Sequence, residues 1–202
     1  DLRYYQAHKP LRQQETAEGH SVRALYLFSG VADVASASGD DHLLDLCKKI
    51  WRNVTERRMY VTGGVGSEST CAAIALVFFA RRMLELDPRA DYADVMELAL
   101  YNGVASGMSY DGKAFFYVNP LEVWPEATAE RHDTRHVEPT RPGWFDCACC
   151  PPNLARLFSS IGSYAYNYTD DAIYVHLYAQ GEAAFALPGG SVRWIQKTRY
   201  PW

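Results

Sequence analysis

The sequence has no long apolar run and no cluster of basic residues. Its longest apolar stretch, residues 71–80, is about half as long as the ~20 residues that a membrane-spanning helix needs, and no basic segment leads into an apolar one as in a signal sequence. The 20 basic and 24 acidic residues are interspersed and leave a net charge of −4. These absences argue against nucleic acid and membrane as partners, and they favour a small neutral substrate.

Cysteine is also scarce: the chain has five, and three of these lie in the segment 146–151, which reads DCACCP. An odd, clustered set is typical of reduced thiols rather than of a secreted disulfide framework, so we expect a cytoplasmic protein. Adjacent Cys149 and Cys150 cannot both face an apolar core, and they could bridge each other only with strain. A shared metal ion or a reactive thiolate is therefore the leading interpretation. A structural Cys/His zinc module or a redox protein is the less favoured alternative.

Helical periodicity dominates the sequence up to about residue 168. Apolar residues recur at three- and four-residue intervals, which predicts helices over residues 16–37, 43–54, 70–86, 92–106 and 150–166. The last of these has Pro151 and Pro152 in its first turn, where proline is tolerated. Short linkers between such helices indicate antiparallel neighbours.

Beyond Asp170 the apolar pattern changes to the two-residue period of strands. It predicts strands over residues 172–179, 182–187 and 191–197, and an earlier strand over 113–119 follows an Asp-Gly turn. The predicted fold class is therefore mainly α, with an antiparallel β region as a second unit.

Two further segments carry polar groups that could bind a ligand or take part in catalysis. Residues 62–67 form a glycine-rich turn that delivers Glu68 and Cys71 to the start of a helix, and this turn lacks the lysine of a phosphate-binding loop. His8 and His20 precede the first helix. Without further context, these histidines are more simply interpreted as surface or helix-end residues.

The segment 145–157, which contains DCACCPPN, resembles the signature of glycoside hydrolase family 127, whose best-known member is β-L-arabinofuranosidase. Further segments resemble family segments in family order, namely residues 7–14, 19–24, 60–64, 71–76 and 116–122. The resemblance implies that residues 1–168 are part of an (α/α)6-barrel catalytic domain. It also implies that residues 169–202 are the start of a β-sandwich domain.

The resemblance further implies a retaining glycosidase that uses zinc and a cysteine nucleophile on a small carbohydrate. By motif, Cys71, Cys149 and Cys150 would be zinc ligands, and Cys149 would also attack the sugar. Zinc removes the thiol proton, which a free cysteine of pKa ~8.5 largely keeps at neutral pH. The family's fourth ligand is a glutamate two residues before the first cysteine, where this chain has Ser69. Glu68 is the candidate instead, because positions i and i+3 share a helical face.

Two residues match family positions that contact the sugar, His20 and Tyr117. Tyr117 is more simply interpreted as a packed aromatic side chain of a strand, so His20 is the better candidate of the two. Cys47 and Cys147 are expected to be small buried hydrophobic residues. The oligomeric state stays open, a homo-oligomer included.

The chain departs from the family between Ser67 and Ser69, where relatives carry a longer loop with the glutamate that acts as general acid/base. Because both flanks match so well, we favour omission of this loop from the sequence over a genuine deletion. General acid catalysis commonly contributes ~10²–10⁴-fold in rate. The sequence therefore supports two hypotheses, a hydrolase of β-L-arabinofuranosyl or related linkages and a catalytically silent sugar-binding relative.

Overall fold

The computed structural model describes residues 1–130 and 134–201. Helices dominate the chain up to residue 165, and strands follow. The helices of the described part are α1 (Ser21–Ser38), α2 (Asp41–Arg57), α3 (Thr70–Leu86), α4 (Ala90–Leu98), α5 (Pro125–Glu130), α6 (Cys150–Ser159) and α7 (Gly162–Ala165). The strands are β1 (Tyr166–Tyr168), β2 (Ile173–Val175), β3 (Gly181–Leu187) and β4 (Gly190–Gln196). The chain is thus mainly helical with a small antiparallel region, as the sequence predicted.

Each of the first three helices begins at a side-chain cap. His20, Asp40 and Ser69 precede α1, α2 and α3, and their side chains accept the backbone N–H of the residue three positions further on. Such caps satisfy donors that the first helical turn leaves free. The predicted start of the first helix at residue 16 is wrong, because Gly19 takes a left-handed φ of 73° and His20 is extended.

Helix α3 lies at the centre of the core. Every residue from 70 to 80 is buried, because α1, α4 and α6 all pack against this helix. Its apolar residues therefore surround the helix instead of forming one stripe. Phe79 lies between Phe28 and Trp51, with ring centroids 6.5 Å and 5.6 Å away. No helix in the described residues has the length and apolarity needed to cross a membrane.

A close backbone approach holds the next segment against α3. After α4 the chain forms a π-helical turn, Ala99–Val104, and a 3-10 turn, Ala105–Gly107, in place of the predicted continuous helix to residue 106. A Cβ atom on Gly103 would stand 2.6 Å from the Cβ atom of Ala73. Glycine at this position is therefore required by packing.

Gly103→Ala is expected to lower the free energy of unfolding by about 1–3 kcal/mol, the usual cost of overpacking a core. Gly30→Ala is the matched control, because Gly30 is exposed in the middle of α1 with no atom within 4 Å of an added Cβ. That change should raise stability by about 0.5–1 kcal/mol through helix propensity. Urea denaturation of both variants measures the difference. Equal stabilities would contradict the proposed close approach.

The predicted strand over residues 113–119 is wrong. Its backbone makes isolated bridges, Met108 with Phe115 and Ser69 with Val118, and no ladder. The N–H groups of Phe115, Phe116 and Asn119 bind carbonyls in three different segments. The aromatic residues of this segment therefore pack individually and do not form a strand. The segment binds the start of α3, because the carbonyl of Tyr117 accepts the N–H of Thr70 at 3.0 Å.

The β region consists of two antiparallel hairpins in the described residues. Strand β1 pairs with β2, and β3 pairs with β4 across a two-residue loop. The predicted helix to residue 166 ends instead at Ser159, and Tyr166 already belongs to β1. The Gln196 side chain donates to the carbonyls of Leu177 and Ala179 at 3.1 Å and 3.0 Å and to the hydroxyl of Tyr166 at 2.6 Å, which ties the hairpins together.

Candidate metal–thiolate site

Two helix starts bring three cysteines together. Cys71 lies in the first turn of α3, while Cys149 caps α6 and Cys150 is its first residue. The Sγ atoms of Cys71 and Cys150 are 3.6 Å apart, and those of Cys149 and Cys150 are 3.8 Å apart. All three sulfurs lie within 4.8 Å of one another. The sequence-predicted cluster thus forms from segments that are distant along the chain.

The sulfur separations fit a tetrahedral metal ion. All five cysteines are free thiols, and a disulfide would need sulfurs about 2.05 Å apart. Zinc–sulfur bonds of about 2.3 Å at tetrahedral angles place two sulfurs ~3.8 Å apart. The distances of 3.6 Å and 3.8 Å match that value. Cys71, Cys149 and Cys150 could therefore hold one ion with little movement.

The close contact of the three thiols shifts their pKa values in different directions. The contact with Cys150 lowers the pKa of Cys71 to about 6, with help from Asn153, Cys149 and Arg156 and against the effect of burial. Burial, together with the charge at Cys71, raises the pKa of Cys149 to about 12. The contact with Cys71 and burial raise the pKa of Cys150 as well. A divalent cation bound between the sulfurs would favour loss of the thiol protons.

Glu68 lies in a tight turn three residues before Cys71. The backbone passes from Gly66 (φ 64°) directly through Ser67 to Glu68 (φ 55°), and the Glu68 N–H donates to the Val65 carbonyl at 3.0 Å. The Glu68 carboxylate accepts a hydrogen bond from the Thr62 hydroxyl at 2.8 Å. It does not belong to the group of ligand atoms within 4.8 Å, which in the described residues consists of the three sulfurs.

Tyr117 lies against the cysteine cluster. Its partly buried ring packs on Phe145 at 5.3 Å and on His136 at 4.9 Å between centroids. Burial, followed by negative charge at Cys149 and Cys147, raises the pKa of its hydroxyl. Tyr117 thus has the aromatic packing of its plainer interpretation, and its contact with a sugar stays a prediction.

His20 lies at the start of α1. Its Nδ1 atom accepts the N–H of Arg23 at 3.4 Å, and its ring meets Tyr4 edge to face at 5.4 Å. Burial lowers its pKa, and the charge of Arg23 adds to this effect, which favours the neutral imidazole. These contacts join His20 to the N-terminal segment and to the start of α1.

The remaining cysteines differ from each other. Cys47 is fully buried on α2, as predicted. Cys147 is exposed, so its prediction as a buried hydrophobic residue is wrong, because residues 146–148 form a surface loop before α6. Asn153 was missed by sequence reasoning, although its Nδ2 atom donates to the Cys71 sulfur at 3.2 Å. Its position three residues after Cys150 on the same helix was the available signal.

Comparison with known proteins places this geometry in a family. The family model described as "Beta-L-arabinofuranosidase, GH127 catalytic domain" matches residues 1–163. The chain belongs to the GH127 β-L-arabinofuranosidase family. It is thus a member of a glycoside hydrolase family, and the matched region contains every residue of the cysteine cluster.

Individual GH127 proteins resemble the chain closely. It is 41% identical over 220 residues to the non-reducing end β-L-arabinofuranosidase of Bifidobacterium longum subsp. longum, covering 98% of this chain and 33% of that protein. A crystal structure of a GH127 β-L-arabinofuranosidase from Geobacillus stearothermophilus T6 matches with 54% identity and a TM-score of 0.93, over 99% of this chain and 34% of that one. A second GH127 β-arabinofuranosidase structure matches with 38% identity and a TM-score of 0.89, over 99% of this chain and 33% of that one.

This GH127 chain spans about a third of the length of these relatives. The alignment with the Bifidobacterium enzyme runs over 220 residues, more than the 202 of this chain, so that relative carries residues without a counterpart here.

Proposed function

We propose that this chain carries the zinc–thiolate centre of a retaining glycosidase that cleaves β-L-arabinofuranosyl or related linkages. The observation that supports it most is the cluster of three sulfurs, in which Cys150 lies 3.6 Å from Cys71 and 3.8 Å from Cys149. Zinc bound there would keep the sulfurs deprotonated and fix their directions. The small carbohydrate follows from the family, whose named relatives act on arabinofuranosides.

The difference in burial among the three cysteines supports Cys149 as the nucleophile. Cys71 and Cys150 are buried, whereas Cys149 is partly exposed and can meet a substrate. Its thiolate would form a bond to the anomeric carbon while the bond to the leaving oxygen breaks, and that oxygen would take a proton from a general acid. Water would then displace the sulfur. Two displacements at one carbon retain its configuration.

The other proposed roles follow the positions of the side chains. Glu68 would be the fourth zinc ligand once its carboxylate turns from Thr62 toward the sulfurs, and it could not then serve as the acid. Tyr117 would contact the sugar next to Cys149, since its hydroxyl lies near that thiol. His20 would contact the sugar from the start of α1 as a neutral donor or acceptor.

We also propose that the helices belong to an (α/α)6 barrel, with residues 1–168 in the catalytic domain and residues 169–202 at the start of a β-sandwich domain. The match to a GH127 enzyme with a TM-score of 0.93 over a third of that chain supports this division. A cytoplasmic location would suit the free thiols, which zinc ligation requires in reduced form.

One observation favours a second function, a sugar-binding relative that has lost hydrolysis. The turn at residues 62–68 contains no carboxylate except that of Glu68. We place the extra residues of the Bifidobacterium enzyme here. Without them the leaving oxygen lacks its proton donor.

Release of 4-nitrophenolate from 4-nitrophenyl β-L-arabinofuranoside tests the function. The zinc-loaded chain is expected to release about one equivalent in a rapid phase, because nitrophenolate leaves without protonation. The corresponding β-D-xylopyranoside is the control and should release none. Absence of release from the arabinofuranoside, with the sugar still bound, would contradict the proposed nucleophile, because loss of the proton donor alone would not prevent the release of nitrophenolate.

Zinc content tests the centre itself. The wild-type chain is expected to retain zinc through dialysis, and Cys71→Ser is expected to lose it, because one of three sulfur ligands is then missing. Cys47→Ser is the control, since Cys47 is buried on α2 away from the cluster. Elemental analysis of the three proteins gives the result. Equal zinc content in wild type and Cys71→Ser would remove Cys71 from the ligand set.

A further inference from the structure

A chain of hydrogen bonds ends on the buried sulfur of Cys71. The Nδ2 atom of Asn153 donates to the Cys71 Sγ atom at 3.2 Å, and the Asn153 Oδ1 atom accepts the hydroxyl of Tyr26 at 3.0 Å. The Tyr26 oxygen in turn accepts a hydrogen bond from Arg156. Tyr26 belongs to α1, and Asn153 and Arg156 belong to α6. This series of hydrogen bonds therefore connects the sulfur on α3 to both helices that flank it.

The chemistry of these groups permits only one donor-to-acceptor direction along the series of hydrogen bonds. Arginine has donors and no acceptor, so the Tyr26 oxygen must accept from Arg156. The single hydroxyl proton of Tyr26 then goes to the Asn153 carbonyl oxygen. With its oxygen occupied in this way, the Asn153 amide must present its NH2 group to Cys71.

The first member of the chain is itself held in place. The guanidinium of Arg156 lies 4.6 Å from the ring centroid of Phe78 and 5.3 Å from that of Tyr26. Cation–π contacts of this kind fix the orientation of an arginine. The direction of the whole chain thus rests on packed aromatic side chains.

We propose that Asn153 is a positioning residue for the Cys71 sulfur and that the Arg156–Tyr26 pair sets its orientation. A fixed N–H donor aimed at sulfur suits a metal-bound thiolate, which only accepts hydrogen bonds. The inference rests on the proposed metal centre. It adds to that centre an outer shell of residues, outside the proposed ligand set, that would hold one ligand in a fixed direction.

Cobalt binding tests the proposal, because sulfur-to-cobalt charge-transfer absorption reports the cobalt–sulfur geometry directly. Asn153→Leu keeps the approximate shape and removes the donor. It is expected to weaken Co²⁺ affinity by ~10–100-fold and to shift the charge-transfer band. Tyr26→Phe keeps the aromatic packing and frees the amide to turn, so it should change affinity and band in the same direction by a smaller amount.

The control is Asn53→Leu, because Asn53 is another partly buried helical asparagine whose hydrogen bonds go to Ala17 and Arg58. It should leave both readouts at wild-type values. Wild-type affinity and spectrum in both Asn153→Leu and Tyr26→Phe would overturn the positioning role and leave the metal centre standing. A wild-type chain without any thiolate–cobalt band would overturn the metal centre, and the positioning role with it.

Discussion

Cys149→Ala is expected to abolish transfer of an arabinofuranosyl group onto the protein. Cys149 is the partly exposed sulfur of the cluster, whereas Cys71 and Cys150 are buried, so neither can replace it. Loss of a covalent nucleophile can cost on the order of 10⁶-fold in rate. Intact-protein mass spectrometry after incubation with 4-nitrophenyl β-L-arabinofuranoside should show one added pentosyl group on the wild type. It should show none on Cys149→Ala.

Cys147→Ala is the matched control for this experiment. Cys147 lies two residues earlier in the same segment and is exposed, so a merely reactive surface thiol would be labelled there. The adduct should persist in that variant. Zinc content of Cys149→Ala, measured in parallel, separates loss of the nucleophile from loss of a ligand. A pentosyl adduct on Cys149→Ala would transfer the nucleophilic role to another residue.

The cysteine cluster shows how much of the candidate site could be predicted from the sequence. Adjacent Cys149 and Cys150 indicated a metal or a reactive thiolate from chemistry alone, but only the family resemblance brought in Cys71. Helical periodicity placed α3 correctly and indicated that Cys71 stands at its start. The distance between Cys71 and Cys150 follows from the packing of α3 on α6, which no local pattern encodes.

Sequence reasoning failed where tertiary contacts override local preference. Residues 113–119 have strand-like composition, yet the N–H groups of Phe115, Phe116 and Asn119 bind three different segments, and the described residues pair with this segment only at isolated bridges. The helix predicted over 92–106 widens into a π-helical turn where Gly103 meets Ala73. The Asn153–Tyr26 contact joins residues on α6 and α1, so its existence depends on how those helices pack.

Cleavage by this chain is expected to depend steeply on the leaving group. Alkyl and sugar leaving groups need a proton, and the turn from Gly66 to Glu68 offers no carboxylate beyond the proposed zinc ligand. Glycosylation of Cys149 by such substrates should therefore be slower by ~10²–10⁴-fold than in an enzyme that has its general acid, whereas activated aryl glycosides should suffer little. Rates of adduct formation across a series of aryl and alkyl β-L-arabinofuranosides measure this dependence.

The second displacement, in which water releases the sugar from Cys149, provides an independent check on whether the turn at residues 62–68 lacks an acid/base carboxylate. Water attack on the adduct also needs a general base, and the turn at residues 62–68 offers no carboxylate beyond Glu68. The adduct should therefore persist, and azide, which needs no base, should release it as the β-configured glycosyl azide. Glu68→Gln decides which role Glu68 has. If Glu68 is a zinc ligand, Glu68→Gln lowers the zinc affinity, and the rate still depends steeply on the leaving group. If alkyl glycosides react as fast as aryl ones in the wild type and Glu68→Gln abolishes this equality, Glu68 is the acid and the fourth ligand lies elsewhere.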